Sequence, residues 1–364
     1  MNRKELDIAI EQAPHGRQKM VLLRKAWELA DESKDYEAQI DYRMEYMSES
    51  CFYDDALEMF IVFPEILKIH DLHVQERGYA YNSRSILWNY KWLLEEAEGF
   101  YQISVEQFEL FFEDSKRRYL QNGYSLRSLY QHKYIFYLNI DKEKAKEAYK
   151  EFTNCSRDSM SDCHACERST EVEYFLAMGE PGRAASKAAP LIDGQLSCTE
   201  EPENALGDFL RYYNGKIADG DRDYVEPASD LCETLRRSIE RKGIVTFLIP
   251  QVLLFYAMEN PTKALNYYKK NWSFYEECRN PATKYWFAVA ALRFLENLGE
   301  KKAYKMKMSP SYPFYNENDT YDVEMLRNYY KNAALDIADK MDKRNGTTVY
   351  IDTFYRMLSV RKEI

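Results

Sequence analysis

Residues 260–271 read NPTKALNYYKKN, and this stretch predicts the second helix of a helical hairpin. A turn containing Asn260 and Pro261 is followed by the small residue Ala264 and, four positions later, by Tyr268. A small residue allows two helices to approach closely, and the residue four positions on lies on the same helix face one turn later. The pattern therefore indicates helices that pack side by side.

The same pattern recurs along the chain. It is found in YDDALEMFIVF (residues 53–63), DKEKAKEAYKEF (141–152) and GEPGRAASKAAPL (179–191), where the small residues are Ala56, Ala145 and Ala184. Ala184 lies 39 positions after Ala145, and Ala264 lies 80 positions after Ala184. The chain is therefore predicted to contain a helical repeat with a period of about 40 residues.

This arrangement resembles the tetratricopeptide-repeat superfamily, whose second helix carries Ala and an aromatic residue four positions later, often after an Asp-Tyr turn. SKDYEAQIDY (33–42) and MENPTKALNYY (258–268) match this helix start best, and the resemblance covers residues 17–298. The usual Trp-Leu-Gly-Tyr set of the first helix is missing, and the spacing exceeds the usual value of about 34 residues. Similarity to divergent bacterial members implies an all-α fold, a right-handed superhelical array of antiparallel helix hairpins (a TPR-like α-solenoid).

Three segments are predicted. Residues 1–16 form an N-terminal lead-in, residues 17–298 the TPR-like helical repeat array, and residues 299–364 a Pro- and Tyr-containing loop followed by capping helices near 322–342 and 349–361. Apolar residues at spacings of three and four dominate, which favours helices over strands. The chain has only 13 Gly and 11 Pro, as is typical of long helices joined by short loops.

Composition and charge limit the classes of function. The formal net charge is -10 and the sequence pI is about 5.3, so no nucleic-acid partner is expected, because an acidic surface repels a polyphosphate. The first residues carry charges and no apolar run reaches about 18 residues, so no membrane association is expected and the protein is predicted to be cytoplasmic. Seven cysteines without an export signal favour reduced thiols over disulfides.

The stretch SDCHACERST, residues 161–170, contains a CxxC motif at the start of a predicted helix. If a helical hairpin folds back, Cys198 in the next loop lies beside Cys163 and Cys166, and Cys155 or His164 completes a tetrahedral set. This spacing predicts a structural Zn²⁺ site, and no catalytic cofactor is expected. Unconnected thiols at helix ends are the alternative; a redox role is disfavoured because the strand-turn-helix context of thioredoxin-like motifs is absent.

Aromatic residues are more numerous than one face of each helix is able to bury, with 31 Tyr, 18 Phe and 5 Trp. A stacked helical array has a concave face lined by the first helix of each pair, where surplus Tyr and Trp provide contact area for a peptide or protein. The residues predicted to line this face are Tyr130, Tyr134, Tyr137, Tyr174, Tyr212, Tyr256 and Trp286.

The leading functional hypothesis is a non-enzymatic scaffold or adaptor that binds a protein or peptide along this concave face. One form of this hypothesis gives the bound partner a regulatory effect. An immunity-type inhibitor of a toxic protein is an alternative from the same observations. An enzymatic alternative comes from Arg127 and His132 in RSLYQH, because this R-x4-H spacing resembles the catalytic motif of HEPN ribonucleases. Within an α-helix, however, these side chains point about 140° apart, and Ser128 replaces the polar residue that is typical after the Arg.

Overall fold

The computed structural model describes residues 2–242 and 247–358, and most of them are helical. In chain order the helices are α1 (Arg3–Gln12), α2 (Arg17–Ser33), α3 (Tyr36–Tyr53), α4 (Met59–Arg77), α5 (Ser83–Glu96), α6 (Val105–Gln121), α7 (Arg127–Tyr137), α8 (Lys142–Asn154), α9 (His164–Ala177), α10 (Pro181–Ile192), α11 (Glu203–Ala218), α12 (Val225–Lys242), α13 (Leu248–Glu259), α14 (Pro261–Glu277), α15 (Pro281–Glu296), α16 (Val323–Asn345) and α17 (Val349–Leu358). Two short strands, β1 (Ala303–Lys305) and β2 (Thr320–Asp322), lie between α15 and α16.

The all-α class predicted from the sequence is confirmed. The helix predicted from NPTKALNYYKKN forms as α14, and the capping helices predicted near 322–342 and 349–361 form, within the described residues, as α16 and α17. The spacing of apolar residues also predicts a helix over 245–258; residues 245 and 246 lie outside the described residues, and the described part of this helix is α13. The predicted end of the last helix, at residue 361, also lies outside them.

The helix start in NPTKALNYYKKN forms as the pattern indicates. The Asn260 side chain accepts a hydrogen bond from the backbone N–H of Lys263 at 3.0 Å, and Pro261 takes the first helical position. Ala264, the fourth residue of α14, is fully buried. The fourth residues of the even-numbered helices α8, α10 and α12 are also fully buried alanines, Ala145, Ala184 and Ala228.

The predicted N-terminal lead-in contains a helix, α1. The Asn2 side chain accepts from the backbone N–H of Glu5, and the Glu5 carboxylate accepts from the backbone N–H of Asn2, both at 3.0 Å. This capping box satisfies two amide groups that a helix start otherwise leaves without a partner. Leu6 and Ile10 are buried on one face of α1, which packs against α2.

A two-stranded antiparallel sheet replaces part of the loop predicted after α15. Tyr304 pairs with Tyr321 in its register, and the connection between the strands returns Tyr312 to the core. There the hydroxyl of Tyr268 lies 2.7 Å from that of Tyr312 and 2.8 Å from that of Tyr330. This buried tyrosine triad, Tyr268, Tyr312 and Tyr330, joins α14, the inter-strand connection and α16.

The chain forms two compact units. The first comprises Met1–His132 and Cys155–Met160, and the second comprises Lys133–Asn154 and Ser161–Ile364. In the first unit, α2 packs against α3, α3 against α4, α4 against α5 and α5 against α6. Its second piece is bound by Arg127, whose Nη1 donates to the Cys155 carbonyl at 2.9 Å, and by Lys91, whose Nζ donates to the Met160 carbonyl at 3.1 Å.

In the second unit, odd-numbered helices pack against the even-numbered helices that follow them: α9 against α10, α11 against α12, and α13 against α14. Odd-numbered helices also pack against each other, α9 against α11, α11 against α13, and α13 against α15. α15 is buried along most of its length and is also covered by α16 and α17. Each hairpin is thus in contact with the next one through its first helix.

Candidate metal centre

Three cysteine sulfurs meet at the N-terminus of α9. The Sγ atoms of Cys163 and Cys166 lie 3.1 Å apart, and those of Cys166 and Cys198 lie 3.6 Å apart. All three sulfurs lie within 4.8 Å of one another. We call Cys163, Cys166 and Cys198 the thiol cluster; its members lie close enough to bind one metal ion.

Local helix geometry brings the two CxxC thiols together. Cys163 is the N-cap residue of α9, and its Sγ accepts a hydrogen bond from the backbone N–H of Cys166 at 3.2 Å. A residue at the cap and the residue three positions later lie one above the other on the first turn. The positive end of the helix dipole lies at the same place and favours negative charge on these sulfurs.

Tertiary packing brings the third thiol to the first two. Cys198 lies in the loop between α10 and α11, and both of these helices pack against α9. Since α10 runs back along α9, the loop that follows it reaches the level at which α9 begins. The sequence-based prediction that Cys198 lies beside the CxxC motif therefore agrees with the observed positions.

The electrostatics of the thiol cluster favour a bound cation. Burial raises the pKa of Cys166, and the adjacent sulfur of Cys163 raises it further. Burial also raises the pKa of Cys198, although backbone hydrogen bonds from Glu200 and Glu201 act in the opposite direction. Neighbouring thiolates repel one another, and a divalent cation among them replaces this repulsion with attraction.

The geometry and the donor atoms fit Zn²⁺. Sulfurs that bind one tetrahedral Zn²⁺ at about 2.3 Å are about 3.8 Å from each other. The 3.6 Å spacing of Cys166 and Cys198 is close to this value, and the 3.1 Å spacing of Cys163 and Cys166 is shorter. Three sulfur donors also suit thiophilic ions such as Cu⁺. Cys163 is exposed, whereas Cys166 and Cys198 are half-buried, so the thiol cluster opens to solvent on the side of Cys163.

The other sequence-predicted ligands are placed differently. Among the described residues, the group whose ligand atoms lie within 4.8 Å of one another comprises Cys163, Cys166 and Cys198 and does not include Cys155. His164 is exposed at the first position of α9. Sequence reasoning missed the backbone N–H groups of Glu200 and Glu201, because the fold of the loop, and not its residue types, directs them at Cys198.

The aromatic residues predicted to line a concave face differ in burial. Tyr134, Tyr137, Tyr174 and Tyr256 are buried, whereas Tyr130, Tyr212 and Trp286 are partly exposed. The Tyr134 hydroxyl donates to Thr170 at 2.8 Å, and the Tyr256 hydroxyl donates to Glu233 at 2.8 Å. The buried tyrosines contribute to packing and offer little surface to a partner, so only the partly exposed residues remain available for the predicted contact.

The two residues of the R-x4-H motif differ in exposure: Arg127 is half-buried and His132 is buried. Arg127 donates to the Cys155 carbonyl, as described above, and His132 is only 6% exposed. The remaining cysteines differ from the thiol cluster: Cys232 is buried, and burial raises its pKa to about 12, while Cys51 and Cys278 are half-buried. Cys232 therefore contributes to the core.

No protein-family model matches the chain, and no curated protein is detectably similar to it in sequence. None of the described helices is both long enough and apolar enough to cross a membrane.

Proposed function

We propose that this protein is a non-enzymatic helical-repeat scaffold that binds a protein or peptide, and that the thiol cluster holds a structural Zn²⁺ within it. The observation that carries the proposal is the successive packing of α9, α11, α13 and α15, each of the first three with its own even-numbered partner. In repeat arrays of the tetratricopeptide kind, each hairpin contacts its neighbours, and the first helices line one extended surface. Such surfaces commonly bind extended peptides or protein segments.

The charge and the exposed aromatic residues indicate the kind of partner. With a net charge of -10, the chain favours association with a basic partner over an acidic one. Tyr212 on α11 and Trp286 on α15 are partly exposed on odd-numbered helices. Tyrosine and tryptophan are the side chains that most often dominate the energetics of protein interfaces.

The proposed Zn²⁺ has a structural role in this scaffold. Its ligands join the first turn of α9 to the loop that precedes α11, and these helices belong to adjacent hairpins. A metal at this position cross-links Cys166 to Cys198, closes the chain segment between them into a loop and thereby fixes one hairpin against the next. The proposal assigns no chemical step to the metal.

The scaffold role is tested by native mass spectrometry of the full chain purified gently from its own host. We expect a complex of defined stoichiometry that dissociates when Tyr212→Ser and Trp286→Ser are combined. Tyr355→Ser is the matched control, because Tyr355 is 61% exposed and lies on α17, outside the series α9, α11, α13 and α15. A partner-free monomer, or a complex that the double variant leaves intact, contradicts the proposal.

Two other functions remain as alternatives from the sequence. An immunity-type inhibitor would form a similar complex, but its partner would be toxic when expressed without this chain. A HEPN-like ribonuclease would require Arg127 and His132 to reach RNA, and the burial of His132 gives no support for this. An RNA-cleavage assay with His132→Ala separates the enzymatic alternative from both binding roles.

A further inference from the structure

A pocket of about 230 Å³ lies in the first unit, along one face of α5 and beside α3. Its lining residues are Met44, Arg84, Ser85, Trp88, Asn89 and Trp92. The five residues from α5 recur at the spacings that place side chains on one face of a helix. All six lining residues are neutral or basic, although the whole chain carries a net charge of -10. We call this site the α5 pocket.

Asn89 is the polar group that indicates a ligand. Its side chain is only 3% exposed, and its Nδ2 has no hydrogen-bond partner in the described part of the chain. Buried polar groups in folded proteins nearly always have a partner, because a buried amide that lacks one is costly. Since Asn89 lines the α5 pocket, an acceptor bound there would be the missing partner.

Two basic side chains lie on the same helix as this amide, and one of them lines the pocket. Arg84 lines the α5 pocket, and its Nη2 donates to the Ser159 carbonyl at 3.1 Å, which holds the guanidinium in place. The Lys91 Nζ lies 3.2 Å from the centre of the Trp88 ring. The α5 pocket therefore attracts an anion, and its lining donors are a neutral amide, the Ser85 hydroxyl and one guanidinium. This donor set suits a singly charged carboxylate better than a phosphate, which carries more charge.

Apart from Ser85, the remaining lining residues of the α5 pocket are apolar. Trp88 and Trp92 are one helical turn apart, and the Met44 side chain completes the lining from α3. Phe52 packs edge-on against Trp92, with ring centres 5.1 Å apart, and helps to fix that indole. Indole rings offer flat apolar surfaces on which aromatic groups pack well. The occupant is thus expected to combine an acceptor group with an apolar body.

We propose that the α5 pocket binds a carboxylate attached to a small aromatic or branched apolar group. The carboxylate accepts hydrogen bonds from Asn89 Nδ2 and from Arg84, and the apolar group packs against Trp88 and Trp92. A free carboxylic acid and the C-terminal residue of a peptide both have this chemistry. The site lies in the first unit and uses none of the thiol cluster, so it does not depend on the proposed scaffold role.

Isothermal titration of the full chain with phenylacetate tests the proposal, and phenylacetamide serves as the uncharged comparison. We expect saturable binding of the acid and at least 10-fold weaker binding of the amide. Asn89→Asp replaces the donor by a carboxylate of the same shape and is expected to raise the Kd for phenylacetate at least 10-fold. Arg84→Gln, at an exposed position that tolerates substitution, is expected to weaken binding comparably.

Matched controls separate loss of binding from loss of folding. Asn328→Asp makes the same change at an exposed position of α16 and is expected to leave the Kd unchanged. Helical circular dichroism of each variant should equal that of the original chain. A short peptide that ends in Phe, with a free or an amidated C-terminus, identifies the source: tighter binding of the free peptide than of phenylacetate indicates a peptide C-terminus, and the reverse indicates a free acid.

Three results would overturn the proposal. The first is that neither phenylacetate nor the free peptide binds saturably. The second is that the amide binds as tightly as the acid, because the carboxylate would then have no role. The third is that Asn89→Asp and Arg84→Gln, both folded, bind as tightly as the original chain.

Discussion

Replacing Cys198 with serine is the sharpest test of the metal centre. Cys198 is the member of the thiol cluster that lies far from the CxxC motif in sequence, 32 positions after Cys166. Without it, the metal retains ligands from a single helical turn only and no longer connects α9 to the loop before α11. We therefore expect the zinc content to fall from one ion per chain to a small fraction, and the second unit to lose stability.

The size of the loss follows from the loop that the metal closes. A cross-link that joins residues about 32 positions apart removes chain entropy from the unfolded state equivalent to about 4 kcal/mol. Residual structure in the unfolded chain and metal binding to unfolded thiols reduce this value, so about 2–4 kcal/mol is expected. For a unit of this size, the melting temperature should fall by about 5–15 °C.

The assay combines metal analysis with thermal unfolding. Zinc per chain is measured by mass spectrometry, and Co²⁺ substitution reports sulfur ligation through its visible absorption. Unfolding is followed by circular dichroism with and without a strong chelator. Cys278→Ser is the matched control, because Cys278 is half-buried in the second unit and lies outside the thiol cluster.

The structural-zinc reasoning is refuted if the original chain, produced with sufficient zinc, contains no metal and melts at the same temperature with chelator. It is also refuted if Cys198→Ser keeps one zinc per chain and an unchanged Co²⁺ spectrum. An equal loss of zinc in Cys278→Ser would show that the metal lies elsewhere.

Three further predictions concern stability. Tyr268→Phe removes the central hydroxyl of the buried tyrosine triad and should lower the free energy of unfolding by about 1–3 kcal/mol, measured by urea denaturation with an unchanged slope. The hydrogen bond from the Lys263 ammonium is the main cause that lowers the pKa of Glu233 to about 2. This carboxylate therefore stabilises the fold when the pH is above the ordinary pKa of Glu, and the contribution is lost as the pH falls towards 2. Because solvent screens this partly exposed pair, Glu233→Gln should reduce the acid-induced loss of stability by only about 1 kcal/mol, visible as a smaller decrease in melting temperature between pH 5 and pH 2.5. Asn2→Ala removes the cap of α1 and should cost about 1 kcal/mol locally, observed as roughly fivefold faster hydrogen exchange in the first turns of α1 with little change elsewhere.

Much of the helical structure is predictable because its signals are local. Asn260, Pro261 and Ala264 determine where α14 begins and which face packs, and all three act within one or two turns. The same local signal is present at α1, where Asn2 and Glu5 form a capping box before Leu6 and Ile10. From the sequence, residues 1–16 are predicted only as a lead-in and not as a helix, because the apolar face of this segment comprises only these two residues.

Features that depend on distant contacts are harder to predict. Strands β1 and β2 are three residues each, too short for an alternating pattern, and they exist because they pair with one another. The Cys198 position was predictable because a folded-back hairpin has one simple geometry. The burial of Tyr134 and Tyr256 was not predictable. A helical period shows which residues share a face, but it does not show which neighbouring helix covers that face.

The buried tyrosines also give the protein an internal optical probe. Burial holds the pKa values of Tyr134, Tyr268 and Tyr330 well above the ordinary range for a phenol. In an alkaline titration, exposed tyrosines ionise first and reversibly, whereas these three ionise only after the core has opened. The ultraviolet absorbance of tyrosinate should therefore rise in two stages. Because the second stage coincides with loss of helix, it reports the opening of the core without any attached dye.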